Sequence, residues 1–204
     1  MDRSRTPNGG RIETYSHAFF TWALAKHGLG AGRAAGIAGA TGATLPDAPS
    51  IAGTAYYIGP SFLREGWSSM DSGEVFDAIH VSGPFGATGV ALHSAVPPLA
   101  LLLLYVFLKL GSRDRRRILL WFLLGWLGHT AADFLTHADN ARPLFFPISD
   151  WMWTSPISYY NLLHYGGEFF LISHALILLT MAALLIRRIR RRDGRKETSS
   201  GKNP

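Results

Sequence analysis

Apolar residues collect into three long runs separated by polar, Gly- and Pro-containing stretches. The first covers residues 90–110 and carries PPLALLLLYVFLKL; the second covers 118–135 and begins ILLWFLLGWLG; the third covers 169–186 and carries FLISHALILLTMAALLI. Each approaches the ~20 residues that a helix needs to cross a bilayer. The pattern predicts an all-α fold: an integral membrane helical bundle with three crossings. None of the runs lies near the N-terminus, so a cleavable signal peptide is not expected.

The N-terminal third is less regular. ETYSHAFFTWALAKH (13–27) suits an amphipathic helix, and the Ala- and Gly-rich 33–44 suits a helix packed closely on a neighbour. A fourth crossing here stays open. LPDAPS (45–50) reads as a turn with Pro46 and Pro49 as breakers. Residues 61–89 read as a polar loop holding a short helix near 74–80. Residues 140–161 read as a loop whose Trp151, Trp153, Tyr159 and Tyr160 suit a membrane interface. The expected organisation is one membrane-embedded domain over 1–186 and a basic, disordered cytoplasmic tail over 187–204.

Charge adds orientation. The net charge of +6 is concentrated in GSRDRRR (Arg113, Arg115, Arg116, Arg117) and in the run from Arg187 to Lys196. Both border apolar runs, so the excess of positive residues on the cytoplasmic side of membranes accounts for them, and nucleic acid is not an expected partner. With both clusters cytoplasmic, the chain is a multi-pass protein of the cell inner (plasma) membrane. His93, the stretch 129–137, His164 and Glu168 then fall at the outer face. The chain has no cysteine, so any metal is held by His, Asp and Glu.

Those residue types recur at helical spacing. His129, Asp133 and His137 stand four apart in GHTAADFLTH, and His164 and Glu168 stand four apart in HYGGE. Residues four apart share a helix face and can grip one ion. Polar groups at the ends of apolar segments are costly unless paired, and a bound metal pairs them. His93 heads the first apolar run; His80, three residues after Asp77, is its rival. With His17 and Asp47 the candidate ligands number eight: His17, Asp47, His93, His129, Asp133, His137, His164 and Glu168. That is too many for one zinc, so two or three ions are expected, with manganese as the other metal suited to these donors. Asp47 and Glu168 are the candidate proton acceptors. Arg142 could hold a substrate phosphate, although an isolated loop arginine is more often solvated.

The order of these pieces resembles the YdjM-like family of membrane-bound metal-dependent hydrolases. The matching pieces are His17, then LPD at 45–47, then His93-Ser94, GHTAADFLTH at 128–137 and LFFPIS at 144–149. The ligand order is also similar to bacterial zinc-dependent phospholipase C, with His17, Asp47, His93, His129 with Asp133, His137, and His164 with Glu168 as counterparts. That resemblance implies a trinuclear zinc site and phosphoester hydrolysis, with Asp47 as both ligand and general base. The phospholipases are soluble and use an N-terminal tryptophan as a ligand, a feature this chain, starting MDRSR, does not share.

The expected function is a metal-dependent membrane hydrolase acting through activated water on a phospholipid or lipid-linked phosphoester. The alternatives are a non-catalytic metal-binding membrane protein, whose site is closed, and a structural membrane protein, in which the candidate ligands do not converge.

Overall fold

A stripe of small residues organises the bundle. The computed structural model describes residues 14–60, 63, 73–139, 141–159 and 161–200; among these the chain is all-helical, with no strand. The helices are α1 (Thr14–Ala23), running on into a π turn (Leu24–Gly28), then α2 (Arg33–Thr44), α3 (Ala48–Tyr57), α4 (Gly73–His80) and α5 (Gly83–His93). There follow α6 (Val96–Phe107), α7 (Ile118–Thr136) and α8 (Gly166–Ser200), with 3-10 turns at Leu110–Ser112 and Leu162–His164.

α2 buries Ala35, Gly36, Ala38, Gly39, Gly42 and Ala43. At three- and four-residue spacing these form one face, and α2 lies along α7 in the most extensive helix contact of the fold. A Cβ on Gly42 would stand 1.9 Å from the Phe122 carbonyl oxygen, and one on Gly125 would stand 2.1 Å from that of Gly39. The two backbones therefore touch, which needs glycine on both helices. α1 packs on α2, and Ala25, Ala35 and Trp121 close the far end. The N-terminal third is thus a hairpin laid on α7. At 12 residues α2 extends about 18 Å, short of a ~30 Å hydrocarbon core.

Among the described residues two helices are long and apolar enough to cross a membrane, Ile118–Thr136 and the Gly166–Asp193 part of α8. α5 and α6 make a third if that bent pair is one span. The continuous helix predicted over 90–110 is broken: α5 and α6 meet at 50°. Pro97 and Pro98 have no N–H, and their rings clash with the carbonyls four residues back, on His93 and Ser94. Ser94 is extended instead. Its hydroxyl accepts from the Val96 N–H at 3.1 Å and faces the carbonyls of Phe146 at 2.7 Å and Leu144 at 3.1 Å. The Ala95 N–H also donates to Leu144, at 2.8 Å. The loop holding LFFPIS is thereby strapped across the bend, and His93 ends a helix rather than heading one.

Residues 83–89, expected in a loop, are the first turns of α5. Pro84 sits in the first turn, where a missing N–H is harmless. α7 agrees with the sequence expectation to within a residue. Asp114 caps its start by accepting from the Ile118 and Leu120 N–H groups at 2.8 and 3.1 Å. The loop after it supplies donors to its last carbonyls: Ser155 Oγ to Leu135 at 2.6 Å, Ser155 N to His137 at 3.0 Å and Tyr159 N to Thr136 at 3.3 Å. The tail expected to be disordered from residue 187 instead continues α8 to Ser200. Arg, Lys and Glu are good helix formers, so the basic run prolongs the helix; residues 201–204 lie outside the described chain.

Basic residues gather at one end. Burial, then the charges of Lys26, Arg187 and Arg191, hold the His27 pKa below its ordinary value, which puts the α1 end beside the basic turn of α8. Trp121, which packs on Ala25 and Ala35, is one turn from Arg117. His129 lies twelve residues further along α7, about 18 Å from Arg117.

Candidate metal centre

Five of the eight candidate ligands converge. α1 contributes His17, the turn before α3 contributes Asp47, the end of α5 contributes His93, and α7 contributes His129 and Asp133. Asp133 Oδ2 is 3.1 Å from His129 Nε2 and 3.4 Å from His93 Nε2, and Asp133 Oδ1 is 3.5 Å from His17 Nε2. Asp47 Oδ1 is 3.4 Å from His93 Nε2 and 3.7 Å from His129 Nε2. Two sets place all their donor atoms within 4.8 Å of one another: His17, His129 and Asp133, and Asp47, His93 and His129.

Backbone carbonyls decide which nitrogen each histidine offers. His129 Nδ1 donates to Ala43 O at 2.8 Å, and His93 Nδ1 donates to Gly89 O at 2.7 Å. The proton is thereby held on Nδ1, and in the neutral imidazole it is Nε2 that carries the lone pair. His129 Nε2 is buried without a hydrogen-bond partner. It is close to Asp133 Oδ2 but not aligned for a hydrogen bond. Lone pairs on two imidazoles and oxygens on two carboxylates therefore face one another. Acceptors repel, so such a cluster fits a cation at its centre. Ala43 adjoins Gly42, so the glycine contact between α2 and α7 also places the carbonyl that orients His129.

Asp47 is not spent on the turn. It stands at the start of α3 without making a side-chain cap. Instead its Oδ1 faces His93 and His129, and Oδ2 accepts from the Thr14 hydroxyl. Burial pushes the Asp47 carboxyl pKa up, but the contact with His93 and the nearness of His129 outweigh it and hold it below its ordinary value. The group is ionised at neutral pH. Burial, and then His129, hold the His17 pKa down at about 4, so its imidazole is neutral there and its lone pair is available.

The other candidates are placed differently. His137 borders the cluster: its Nδ1 donates to the Asp133 backbone carbonyl at 3.0 Å and stands 3.7 Å from Asp133 Oδ1, outside both sets. His164 and Glu168 do not share a helix face as their spacing predicted. His164 ends a 3-10 turn, Tyr165 is left-handed at φ 62°, and α8 starts only at Gly166. Two glycines after Tyr165 favour that break over a continuous helix. Glu168 is exposed, and neither residue joins either set. His80 is outside both sets too, with its Nδ1 3.5 Å from Ser50 Oγ and its ring against Phe76. His174, inside α8, meets the Tyr15 hydroxyl at 2.6 Å and links α8 to α1.

A cavity opens beside the cluster, lined by His93, Asp133, His137, Arg142, Leu144 and Trp153 among others. Thr14, Ala43 O and Gly89 O all act on the site; the first two carry no spacing signal, because their contacts depend on how helices meet, whereas Gly89 lies one turn before His93 on the same helix. Compared with known proteins, the chain matches no family model, no curated protein and no solved structure. What the fold and site define is a class: a helical chain with two or three helices able to cross a membrane and a buried His/Asp cluster suited to a metal ion.

Proposed function

We propose that this chain is a metal-dependent hydrolase of the membrane, akin to the YdjM-like family, acting on phosphoester or lipid-linked substrates with zinc as its metal. The observation that carries the reading is the pair of histidines, His93 and His129, each holding its proton on a backbone carbonyl and turning Nε2 toward Asp47 and Asp133. When bound, a divalent ion would supply Lewis-acid polarisation of the scissile bond and acidification of water. His129 has one lone pair to give, so the two sets compete for it; a second ion would rest on His17 with Asp133 or on His93 with Asp47. Asp47, ionised and inside the cluster, is the proton acceptor in preference to the exposed Glu168. Thr14 holds its second oxygen and so orients the first. The ligand order supports the likeness to zinc-dependent phospholipase C only through His17, Asp47, His93, His129 and Asp133.

The test is turnover of a chromogenic phosphodiester and of a phospholipid by detergent-purified, zinc-supplemented protein. Turnover in the wild type that is abolished by chelation and by His129→Ala/Asp133→Ala supports the reading. Absence of turnover on both substrates by zinc-loaded wild type overturns it. It would favour a non-catalytic metal-binding protein, the reading that the burial of His93 and His129 supports, at 5% and 1% exposure.

We also propose the sidedness: an inner-membrane protein with its basic end cytoplasmic and the cluster toward the outer face. The chain is free of cysteine, so single cysteines report cleanly. Ser149→Cys, in the exposed loop strapped to the α5–α6 bend, should react with an impermeant maleimide on intact cells. Ser112→Cys, among the basic residues, should react only after permeabilisation. The opposite pattern inverts the topology.

A further inference from the structure

A half-buried cation beside the cluster has no hydrogen-bond or ion-pair partner among the described residues. Arg142 lies in the loop after α7, and its guanidinium reaches back to α5, where Nη1 would stand 2.9 Å from a Cβ on Gly89. Glycine there makes room for it. Nη1 is shut off from solvent and has no hydrogen-bond partner, and Arg142 takes part in none of the ion pairs of the described chain. A guanidinium so placed is costly unless an anion meets it. Burial pulls its pKa below the ordinary value, with Asp133, Asp47 and Tyr159 pulling the other way from a distance. Arg142 also lines the cavity together with His93, Asp133 and His137. A group in that cavity faces the fork on one side and the cluster on the other.

We propose that Arg142 is the anion-binding residue of this site and that it takes a phosphoryl oxyanion. The assignment rests on the hydrolase reading for its context. A guanidinium fork engages two oxygens. A group that also faces the cluster needs a further oxygen, which a phosphoryl group carries and a carboxylate lacks. The residue is specificity-determining: Arg142 selects the phosphoryl group and holds it, and the cluster residues lie against its remaining oxygen.

The experiment is calorimetric titration of zinc-supplemented, detergent-purified full-length chain with inorganic phosphate, with acetate as the carboxylate control. Phosphatidic acid in mixed micelles serves as the lipid source of the same group. Arg142→Met and Arg142→Lys are compared with wild type, with zinc content and melting measured on each sample. Losing a charge-assisted hydrogen bond should weaken phosphoryl binding by about tenfold or more in Arg142→Met. Arg142→Lys, which keeps the charge and loses the fork, should fall between. Zinc content should equal that of wild type in both. Binding confined to phosphatidic acid, and weakened in the variants, supports the proposal with a lipid source; binding of free phosphate, weakened likewise, supports it with a soluble one. Wild-type affinity for either probe in folded Arg142→Met overturns it, as does wild-type affinity in Arg142→Lys if Arg142→Met does not fold. So does a wild type that binds neither probe or binds acetate as well as phosphate. A wild type that takes up no zinc yet loses phosphate binding in the variants overturns the hydrolase reading and leaves the Arg142 assignment standing.

Discussion

His129→Ala/Asp133→Ala should take the zinc content of the purified chain from near-stoichiometric to background. His129 belongs to both donor sets, and Asp133 is the carboxylate nearer to His17 and to His129. Removing both leaves no set with three donors. Single variants should be graded. His17→Ala leaves the set of Asp47, His93 and His129, and His93→Ala leaves that of His17, His129 and Asp133. Each should weaken the metal rather than abolish it, by at least the roughly 10–100-fold that even an outer-shell partner is worth. The comparator is His164→Ala/Glu168→Ala. Those residues stand outside both sets, and Tyr165 turns the chain between them. Zinc content should therefore stay at the wild-type level. Elemental mass spectrometry on folded protein reads all of these. A folded wild type that binds no metal after reloading would leave the cluster as hydrogen-bonded histidines and carboxylates. Loss of metal in the His164/Glu168 variant would return those residues to the site.

Gly42→Val and Gly125→Val should each unfold or separate the bundle's central helix pair. The added Cβ would meet backbone, at 1.9 Å for Gly42 and 2.1 Å for Gly125, and backbone cannot swing aside as a side chain can. Overpacking of a well-filled contact costs about 1–3 kcal/mol and more when helices must part. For a chain of this size that lowers the melting midpoint by roughly 2–12 °C. Zinc content should fall with it, because moving α2 off α7 withdraws Ala43 O from His129 Nδ1. Gly128→Ala is the control on the same helix. Its Cβ would meet nothing within 4 Å, so the variant should melt at or above wild type, gaining up to about 1 kcal/mol of helix propensity. A Gly125→Val protein with wild-type melting and metal content would show that the helices are not held in backbone contact.

How much of this was legible beforehand follows from the range of each interaction. The extent of α7 could be read from periodicity, because an unbroken apolar run with Asp114 before it leaves few alternatives. The His129/Asp133 pair could be read for the same reason: four residues along a helix return to the same face. The position of His93 depended on Pro97 and Pro98, whose clash is local yet was masked by the apolar run around them. The pairing of His164 with Glu168 failed at Tyr165, where a left-handed residue cut the helix that the spacing assumed.

What the sequence by itself determined is therefore the set of local elements: apolar helices able to cross a membrane, basic clusters at one end of them, and one His/Asp pair on a helix face. Those depend on neighbours along the chain, whose geometry the backbone dictates. Tertiary structure alone decided that His17, Asp47 and His93 join that pair, that the Ala43 carbonyl chooses Nε2 as the free nitrogen of His129, and that Arg142 turns in beside Gly89. Each is a contact between segments 30 or more residues apart or a choice between two nitrogens of one ring. Glycine contacts and the proline bend set the distances involved, to within a fraction of an ångström that no spacing rule encodes.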